Sequence, residues 1–543
     1  MTVTEEISKN IKTGVLCSIL LMALLALFYH LGQWGVTETN NEARYAETAR
    51  EMYNSGDYIH PTLLNIYDYH KPPVTYYVTN AAFKLFGINE FSVRFFLQVA
   101  FLLQLLLVYL IGCECFNQKT AIYAVFIFLS LPLVLLSTRS LNPDIYMSTL
   151  NLLSVFLWIK YRKTHKVGWI YSFYLTLALG FDTQGLASMI VPVCFAWAFN
   201  RSSKKNQNTD FHHSLAASIF VILSLSWFAY LYFENHGFLK YLVQSHSSEE
   251  NSGPFWYYLL YIPLLGLPWF FLALVEFRNQ RKQWWKMSSF VQVCMIWLLV
   301  PLIFFSCSGS QQLFSLLPVA PALSLTAATA IIKSSGKQPV FLNRFQISYQ
   351  FILLAIICGF VLFYPSLKVN SDFWVFWVLS VILLLAIQYV HFFNKEEKII
   401  YSSVILGITF LLFYSSLVSS NQLMFDSMKP VAETIKSKNL QENRILVYDQ
   451  LLPSIAFDLQ KEIICIKDNN QMLNRELRFQ NDQNWRKGLV DLQDPISVDQ
   501  LKKALQYSCV LIYKKNSLDQ SHIPGLCQKF YHNCHIGKWR ICY

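Results

Sequence analysis

The sequence predicts an α-helical membrane protein that crosses the bilayer many times and carries a small α/β domain at its C-terminus. Of its 543 residues, 54% are hydrophobic and only 14% are charged, whereas about a quarter of the residues of a soluble protein are charged. Long apolar runs recur up to about Ser420. A spanning helix needs about 20 such residues, because lipid offers its backbone no hydrogen bonds. These runs exclude a soluble protein for most of the chain.

The apolar runs predict about 13 spans of membrane-crossing length. They are 13–33, 91–112, 119–137, 144–160, 168–181, 185–199, 214–233, 257–275, 288–306, 312–332, 346–364, 373–393 and 399–420. The first run follows a charged stretch and lacks a small-residue cleavage site, so we interpret it as a retained helix rather than a signal peptide. The two short runs near 168–199 meet at Phe181 to Gly185, and either could be a re-entrant element.

The net charge is +11, and the positions of the basic residues indicate how the chain is oriented in the membrane. Lys and Arg lie in short connectors between apolar runs, not on one tail or face, so we expect no nucleic-acid partner. If the N-terminus is cytoplasmic, the inside connectors hold most of these cations, including Lys160 to Lys166, Arg278 to Lys286 and Lys333 to Arg344. The positive-inside rule therefore predicts a cytoplasmic N-terminus and an extracytoplasmic segment after Ser420.

Two stretches are too polar for the membrane. We predict a transmembrane domain over 1–425, in which 34–90 form the first extracytoplasmic loop with interfacial helices, and a soluble α/β domain over 426–543. In the tail, Arg444 to Tyr448 and Cys509 to Tyr513 have the pattern of short buried strands. Lys429 to Lys438 and Val498 to Gln506 have the pattern of amphipathic helices.

The tail also concentrates cysteine and histidine. Its five cysteines are Cys465, Cys509, Cys527, Cys534 and Cys542. In an oxidising compartment the crowding of the last three predicts at least one disulfide, whose pairing the sequence leaves open. His522, His532 and His535 could bind zinc, but no CxxC pair accompanies them, so we expect no metal site.

The most informative segment is the first loop, from Trp34 to Tyr77. Asn41 to Met52 has a helical pattern, with charged residues at three- and four-residue spacings, and Ser55-Gly56-Asp57 is a stop signal. Lys71-Pro72-Pro73 brings a cation to the start of the next apolar stretch. The segment is either an interfacial helix with solvated charges or a polar site where carboxylates and cations meet a lipid-linked anionic substrate.

The loop resembles a known family. Glu42-x-Arg-Tyr-Ala-Glu-x-x-Arg-Glu-Met-x-x-Ser-Gly-Asp-Tyr58, followed by Lys71-Pro-Pro-x-x-Tyr-Tyr77, is similar to the bacterial aminoarabinose-transferase-like glycosyltransferases of the GT-C fold, related to protein O-mannosyltransferases (glycosyltransferase family 39/83-like). Arg139 to Asp144, Gly180 to Gly185 and Gly253 to Tyr258 resemble later loops of the family in order. The first loop is the specific part of the match.

The resemblance implies a GT-C-like membrane glycosyltransferase of the bacterial inner membrane, with its tail in the periplasm. It implies transfer of a sugar from a polyprenyl-phosphate donor to lipid A or another lipid or glycan acceptor, without a cofactor and in contact with membrane lipids. An acceptor oxygen needs a base, and a leaving phosphate needs cations.

Candidate residues follow from these needs. The candidate catalytic residues are Glu42, Glu38 and Asn41; the candidate donor-phosphate residues are Arg44, Lys71, Arg139, Tyr257 and Tyr258; the other candidate site residues are Tyr45, His70 and Asp144. The two tyrosines at 257 and 258 could equally be membrane anchors. Asp144 could equally be a helix cap that follows Pro143.

The sequence departs from the family at several of these positions. Asn41 stands where the family has its catalytic Asp, and an amide cannot take a proton as a carboxylate does. The base would then be Glu42 or Glu38, or be missing. Gln184 and Gln311 replace family lysines, and His70 replaces a glutamate.

Two other functions compete with sugar transfer. An inactive relative could serve as a lipid-glycan binding or accessory subunit, which the three amides at 41, 184 and 311 would favour. A transporter is compatible with the hydropathy, but the spans hold few charges and no paired interrupted helices. Sugar transfer is therefore the preferred hypothesis.

Overall fold

The computed structural model describes residues 3–203, 211–238, 240–242, 254–281, 289–308, 312–333, 340–390, 393–468, 470, 473, 475, 477, 479–480, 483–515 and 529–543. These residues form two compact units. One unit comprises Met1–Leu31, Leu97–Arg139 and Pro143–Ser420, and the other comprises Gly32–Phe96, Ser140–Asn142 and Asn421–Tyr543. We call them the helical unit and the mixed unit.

Helices make up most of the described chain. In chain order they are α1 (Val3–Phe28), α2 (Glu42–Ser55), α3 (Val74–Phe86), α4 (Glu90–Cys115), α5 (Gln118–Leu129), α6 (Pro132–Ser137), α7 (Pro143–Thr164), α8 (Val167–Gln184), α9 (Ile190–Ser203), α10 (Phe211–Glu234), α11 (Tyr257–Leu265), α12 (Trp269–Gln280), α13 (Phe290–Cys307), α14 (Ala320–Lys333), α15 (Val340–Phe363), α16 (Ser371–Tyr389), α17 (Lys395–Ser420), α18 (Lys429–Ser437), α19 (Pro453–Leu459) and α20 (Pro495–Ala504).

Many of these helices are suited to a bilayer. Among the described residues, seven helical segments are long and apolar enough to cross a membrane, or eight if the bent pair α11 and α12 counts as one. Shorter apolar helices, Cys17–Phe28, Gln118–Leu129 and Ser348–Phe363, lie where three further spans are predicted. The chain is thus a multi-pass membrane protein, and the count of 13 spans stays a prediction. The predicted span at 257–275 is not one straight helix, because α11 and α12 meet at an angle of 106°.

The two short spans predicted near 168–199 meet at a break in the helix. Residues Val167–Ser202 are one continuous apolar stretch, but Gly185 has a φ of +63° and starts a 3-10 turn, Gly185–Met189, between α8 and α9. Ring contacts pair Tyr171 with His212 and Phe181 with Phe228, so α10 runs parallel to α8. The division of this stretch into two separate spans stays a prediction.

The mixed unit contains a six-stranded sheet. Its strands are β3 (Arg444–Tyr448), β4 (Ile463–Lys467), β5 (Leu489–Asp491), β6 (Cys509–Lys514), β7 (Asn533–Ile536) and β8 (Trp539–Cys542), after a small hairpin of β1 (Thr62–Leu63) and β2 (Ile66–Tyr67). The order is β5-β4-β3-β6-β8-β7. The first four are parallel, and β8 and β7 add as antiparallel strands. Both predicted strands and both predicted helices of the tail are confirmed.

The first loop packs into this sheet's core. Leu63, Leu64 and Ile66 are buried in one cluster with Ile445 and Val510. The hairpin thus supplies apolar surface that the tail strands lack by themselves. The predicted domain boundary near residue 425 stays a prediction.

The described cysteines of the tail form no disulfide with one another. Cys465, Cys509 and Cys542 are buried and Cys534 is half-buried. Cys527 and His522 lie outside the described residues. The predicted disulfide is therefore not found among the cysteines that the structure describes, where buried thiols pack as small apolar groups.

Candidate functional site

The first turn of α2 is fixed by a buried ion pair. Arg94 donates from Nε to Oε1 of Glu42 at 2.8 Å and from Nη2 to Oε2 at 2.9 Å, and neither side chain is exposed. The backbone N–H groups of Thr37 and Leu141 also donate to this carboxylate, at 2.9 and 3.0 Å. A carboxylate with this many donors is held in one position. Glu42 is thus suited to positioning the loop.

Arg94 is held as firmly as its partner. Its guanidinium also donates to the carbonyls of Trp34 and Gly35, at 2.9 and 3.0 Å, and lies 4.6 Å from the centre of the Trp34 ring. The arginine fork therefore ties the start of the first loop to the first turn of α2.

Asn41 lies at the N-cap of α2 in a left-handed conformation, with φ 62° and ψ 20°. The preceding Asn40 is also left-handed, with φ 57°. Asparagine tolerates this region better than other residues with a Cβ. Its half-buried side chain makes no capping hydrogen bond, so the amide is not needed for the helix start.

Glu38 contacts the tail of the chain. Its Oε1 accepts from the backbone N–H of Ser454 at 3.0 Å and from the Ser454 hydroxyl. Burial raises the pKa of Glu38 to about 7, against the lowering effect of these two bonds. Such a carboxyl exchanges its proton near neutral pH, as a general base does.

Arg44 forms a bidentate ion pair with Asp68. Nε and Nη2 donate to the two carboxylate oxygens at 2.7 and 2.6 Å. The Arg44 side chain keeps 25% of its surface exposed, whereas Asp68 keeps 2%. Burial would raise the pKa of Asp68, but the charges of Arg44, Arg475 and His70 and the Arg44 hydrogen bonds hold it below its usual range. Asp68 is therefore a fixed anion among three basic side chains.

Two more predicted site residues of this loop have different surroundings. Tyr45 is buried, with 1% exposed, and its ring centre lies 6.3 Å from that of Tyr76. It packs between α2 and α3. Lys71 is half-buried.

In the helical unit, Arg139 caps a helix. Nη2 donates to the carbonyl of Ala26 at 2.6 Å, and Nη1 donates to that of Leu27 at 2.9 Å. Both carbonyls belong to the last turn of α1, where the helix supplies few donors of its own. The guanidinium is 1% exposed. Arg139 is thus suited to holding α1, and its role as a donor-phosphate residue stays a prediction.

Two further polar contacts lie in this unit. Gln184 donates from Nε2 to Oδ1 of Asp144 at 3.1 Å, where the end of α8 meets the start of α7. Tyr258 is buried and donates to the carbonyl of Gln312 at 2.9 Å. Tyr257 lies against Tyr258, with 5.2 Å between ring centres. Gln311 lies outside the described residues.

Three partners in these contacts are absent from the residues predicted to form the site. Arg94 stands in the predicted span 91–112, where a lone arginine is expensive and therefore signals a buried partner. Asp68 and Ser454 have no such signal, since each becomes important only through a residue distant in sequence. The structure brings together Glu38, Asn41, Glu42 and Arg44 on one helical start.

Known proteins are similar to this chain over much of its length. Residues 70–227 match the family model for dolichyl-phosphate-mannose-protein mannosyltransferase. An undecaprenyl phosphate-alpha-4-amino-4-deoxy-L-arabinose arabinosyl transferase of Pectobacterium atrosepticum is 31% identical over 346 residues, covering 60% of each chain. A relative of the same name from Sodalis glossinidius is 31% identical over 329 residues, covering 56% of this chain and 58% of its own. The chain therefore spans about three fifths of the length of these relatives.

Solved structures show the same fold. Crystal structures of ArnT from Cupriavidus metallidurans, in the apo state and bound to undecaprenyl phosphate, match with TM-scores of 0.78 and 0.76. Sequence identity is 17% and 16%, and each match covers 98% of both chains. The resemblance predicted from the first loop is confirmed, and the chain has the fold of these ArnT structures.

Proposed function

We propose that this chain is an integral membrane glycosyltransferase that moves a sugar from a polyprenyl-phosphate donor to lipid A or another cell-envelope acceptor. The observation that carries the proposal is the rigid start of α2. The Glu42–Arg94 pair fixes the backbone there, so that Asn41 and Arg44 project from a single immobile turn. A site that stabilises developing charge needs such preorganised groups.

Two relatives support the donor class. Both have names that specify undecaprenyl phosphate linked to an aminoarabinose sugar. In the proposed reaction the acceptor oxygen forms a bond to the anomeric carbon as the bond from that carbon to the phosphate oxygen breaks. The acceptor proton goes to a carboxylate, and the leaving electron pair goes to the polyprenyl phosphate. Direct displacement of this kind inverts the anomeric centre.

We assign the base role to Glu38. Its pKa near 7 lets it accept a proton at neutral pH and release it again. Glu42 acts as a positioning residue, because its oxygens already accept several hydrogen bonds. Arg44 supplies positive charge for the leaving phosphate while Asp68 holds its guanidinium plane. Lys71 and His70, in the same loop, add charge and hydrogen bonds.

The helical unit has polar groups of its own, Asp144 and Tyr258, with Tyr257 beside them. Gln184 stands where the family has a lysine, and it donates to Asp144 as a neutral group. We propose that this pair orients substrate hydroxyls rather than balancing phosphate charge.

The proposal includes an orientation. The concentration of Lys and Arg in alternate connectors supports a cytoplasmic N-terminus and a periplasmic tail in a bacterial inner membrane. Alkaline phosphatase fused after Tyr543 should be active, and a fusion after Lys163 should be inactive. The reverse pattern would contradict the orientation.

Sugar transfer is tested with purified chain in proteoliposomes. Undecaprenyl-phosphate aminoarabinose and lipid A are supplied, and mass spectrometry follows the added sugar. We expect product with the native chain and the same amount with Glu433→Gln. Glu38→Gln should yield less than about one hundredth of that amount, which is the usual effect of removing a general base. Glu433 is exposed on α18, so it controls for the loss of one carboxylate.

The accessory-subunit hypothesis predicts a different result. The native chain would then yield no product with any tested sugar or acceptor, yet would still bind undecaprenyl phosphate. Product that is unchanged by both Glu38→Gln and Arg44→Gln would overturn the residue assignment while leaving the activity in place.

A further inference from the structure

The mixed unit contains a large polar cleft that none of the predicted site residues lines. Its volume is about 1180 Å³, above the roughly 300–1,000 Å³ of typical small-molecule sites. It lies at the amino ends of the parallel strands, where β3 and β4 begin, and is closed by the last turns of α2 and α20. The space is sufficient for an oligosaccharide headgroup.

Positive charge dominates the lining. Six cationic side chains face two carboxylates: Arg50, Arg444, Lys461, Arg486, Lys487 and Lys503 against Glu51 and Glu462. Some of this charge is already neutralised. Arg50 is paired with Glu47 at 2.6 Å, and Arg486 is paired with Asp494. Glu51 accepts from Thr62 at 2.6 Å and from the backbone of Leu64 at 2.7 Å.

The remaining cations have no carboxylate partner among the described residues. Arg444 lies over the ring of Tyr507 at 4.3 Å, and Lys487 and Lys503 are exposed. Lys461 donates only to backbone carbonyls, those of Gln441 and Glu442. Cations gathered in a concave site raise the local concentration of anions. The cleft therefore selects a negatively charged ligand.

Amide side chains supply the other polar groups. Asn54, Asn65, Gln483, Asn484 and Gln500 all line the cleft, and Oε1 of Gln500 is buried without a hydrogen-bond partner in the described structure. An amide both donates and accepts, which matches the hydroxyl groups of a sugar. A buried acceptor without a partner is costly, and a sugar hydroxyl would satisfy it.

We propose that this cleft binds a phosphorylated saccharide, with Lys487 and Lys503 contacting phosphate and the amides contacting hydroxyls. The site does not depend on sugar transfer, since binding here is measured without donor or product. It gives the chain a second means of recognising envelope glycans, through their charged headgroups.

The test is calorimetric titration of the full chain in detergent. The probes are a glucosamine disaccharide carrying two phosphates, the same disaccharide without phosphates, and inorganic phosphate. We expect the bisphosphorylated disaccharide to bind, with an affinity that falls as salt rises. The other two should bind at least about tenfold more weakly, the equivalent of one good charge-assisted contact.

Matched variants locate the site. Lys487→Gln and Lys503→Gln should each weaken binding by about fivefold, the equivalent of one exposed charge contact. Lys502→Gln is the control, because Lys502 is the neighbouring exposed lysine, pairs with Asp499 at 3.2 Å and does not line the cleft. The side chains of Lys487 and Lys503 are both exposed, so either substitution should leave the thermal midpoint of the protein unchanged.

Three results would overturn the proposal. The first is equal binding of the disaccharide with and without phosphates. The second is inorganic phosphate binding as tightly as the bisphosphorylated disaccharide, since the sugar would then not be recognised. The third is Lys502→Gln weakening binding as much as Lys503→Gln, since general surface charge would then explain the effect.

Discussion

Arg94 and Glu42 form a bidentate ion pair with neither side chain exposed to solvent. The pair joins α4 to the first turn of α2. Arg94 also donates to the carbonyl of Gly35, and the backbone N–H of Thr37 donates to Glu42. It is the contact on which the geometry of the first loop depends most directly.

Removal of the Glu42 charge should therefore destabilise the protein strongly. Glu42→Gln leaves Arg94 buried without its counter-ion, which costs roughly 3–5 kcal/mol. The free energy of unfolding in urea measures the loss. Asp499→Asn makes the same chemical change in an exposed pair and should have no measurable effect. Equal midpoints for the two variants would contradict the positioning role.

Glu38 should make stability depend on pH. Because burial raises its pKa from 4.5 to about 7, the folded chain holds this proton more tightly than the unfolded chain does. The resulting stability is full below about pH 4.5 and is lost as pH rises through about 7. Glu38→Gln cannot ionise and should not show this loss.

The measurement is the thermal midpoint of the native chain, Glu38→Gln and Glu433→Gln between pH 4 and 8. We expect the Glu433→Gln curve to follow the native curve and the Glu38→Gln curve to be flatter. A Glu38→Gln curve parallel to the native one would show that Glu38 titrates normally.

Asn41 should tolerate glycine better than alanine. At a φ of 62° a Cβ costs about 1 kcal/mol or more, whereas glycine has no such cost. The free energy of unfolding in urea should therefore be higher for Asn41→Gly than for Asn41→Ala. The same two changes at Asn117, an N-cap with φ −153°, should not favour glycine in this way.

The same position tests the missing family carboxylate. Asn41→Asp places an acid on the immobile first turn, and we expect its transfer rate to exceed the native rate by about tenfold or more, within the usual range for a general base. Proteoliposome transfer measures the change. A rate below the native one would show that the site no longer accommodates a carboxylate there.

Gln184→Lys should strengthen the contact to Asp144. The present bond is neutral on the donor side, at 3.1 Å, and an ammonium would make it charge-assisted, roughly twice as strong. We expect tighter binding of undecaprenyl phosphate, measured by titration. Gln184→Met, of similar length, should not tighten it, and equal affinity in both variants would show that a cation introduced at this position does not contact the phosphate.

Gly488→Ala should disrupt the mixed unit. A Cβ at this position would overlap the carbonyl oxygen of Leu64, so the backbone of the first loop would have to move. Overpacking of this kind typically costs 1–3 kcal/mol. Gly87→Ala is a control for a change with no close contact, because only Asn89 lies within 4 Å, although its φ of 76° carries a strain of its own. Thermal midpoints distinguish the two.

Local features of the fold could be predicted from the sequence. The helix after Asn41 and its end at Gly56 follow from residue spacing and one glycine, and Gly56 indeed has a φ of 72°. The strand at Arg444 to Tyr448 follows from a short apolar run. These elements are determined by neighbours along the chain, which a single sequence contains.

Long-range pairings could not be predicted. The pattern identifies Glu42 as polar and charged, but it does not reveal that Arg94 neutralises it. Arg139 is predicted to supply positive charge for the donor phosphate, which stays a prediction, but the sequence does not reveal that its guanidinium donates to the carbonyls of Ala26 and Leu27. In both cases the competing partner comes from a distant segment, and only the fold brings them together.

The packing of Leu63, Leu64 and Ile66 beneath the tail strands affects how the chain is made. About 380 residues separate this hairpin from β3, and at 5–20 residues per second a ribosome needs roughly 20–75 s to cover that distance. The apolar side chains of the hairpin therefore remain uncovered while the intervening spans enter the bilayer. Synthesis of the sheet then closes the earliest loop last, so a nascent chain that stops before Val510 leaves that loop exposed to proteases and chaperones.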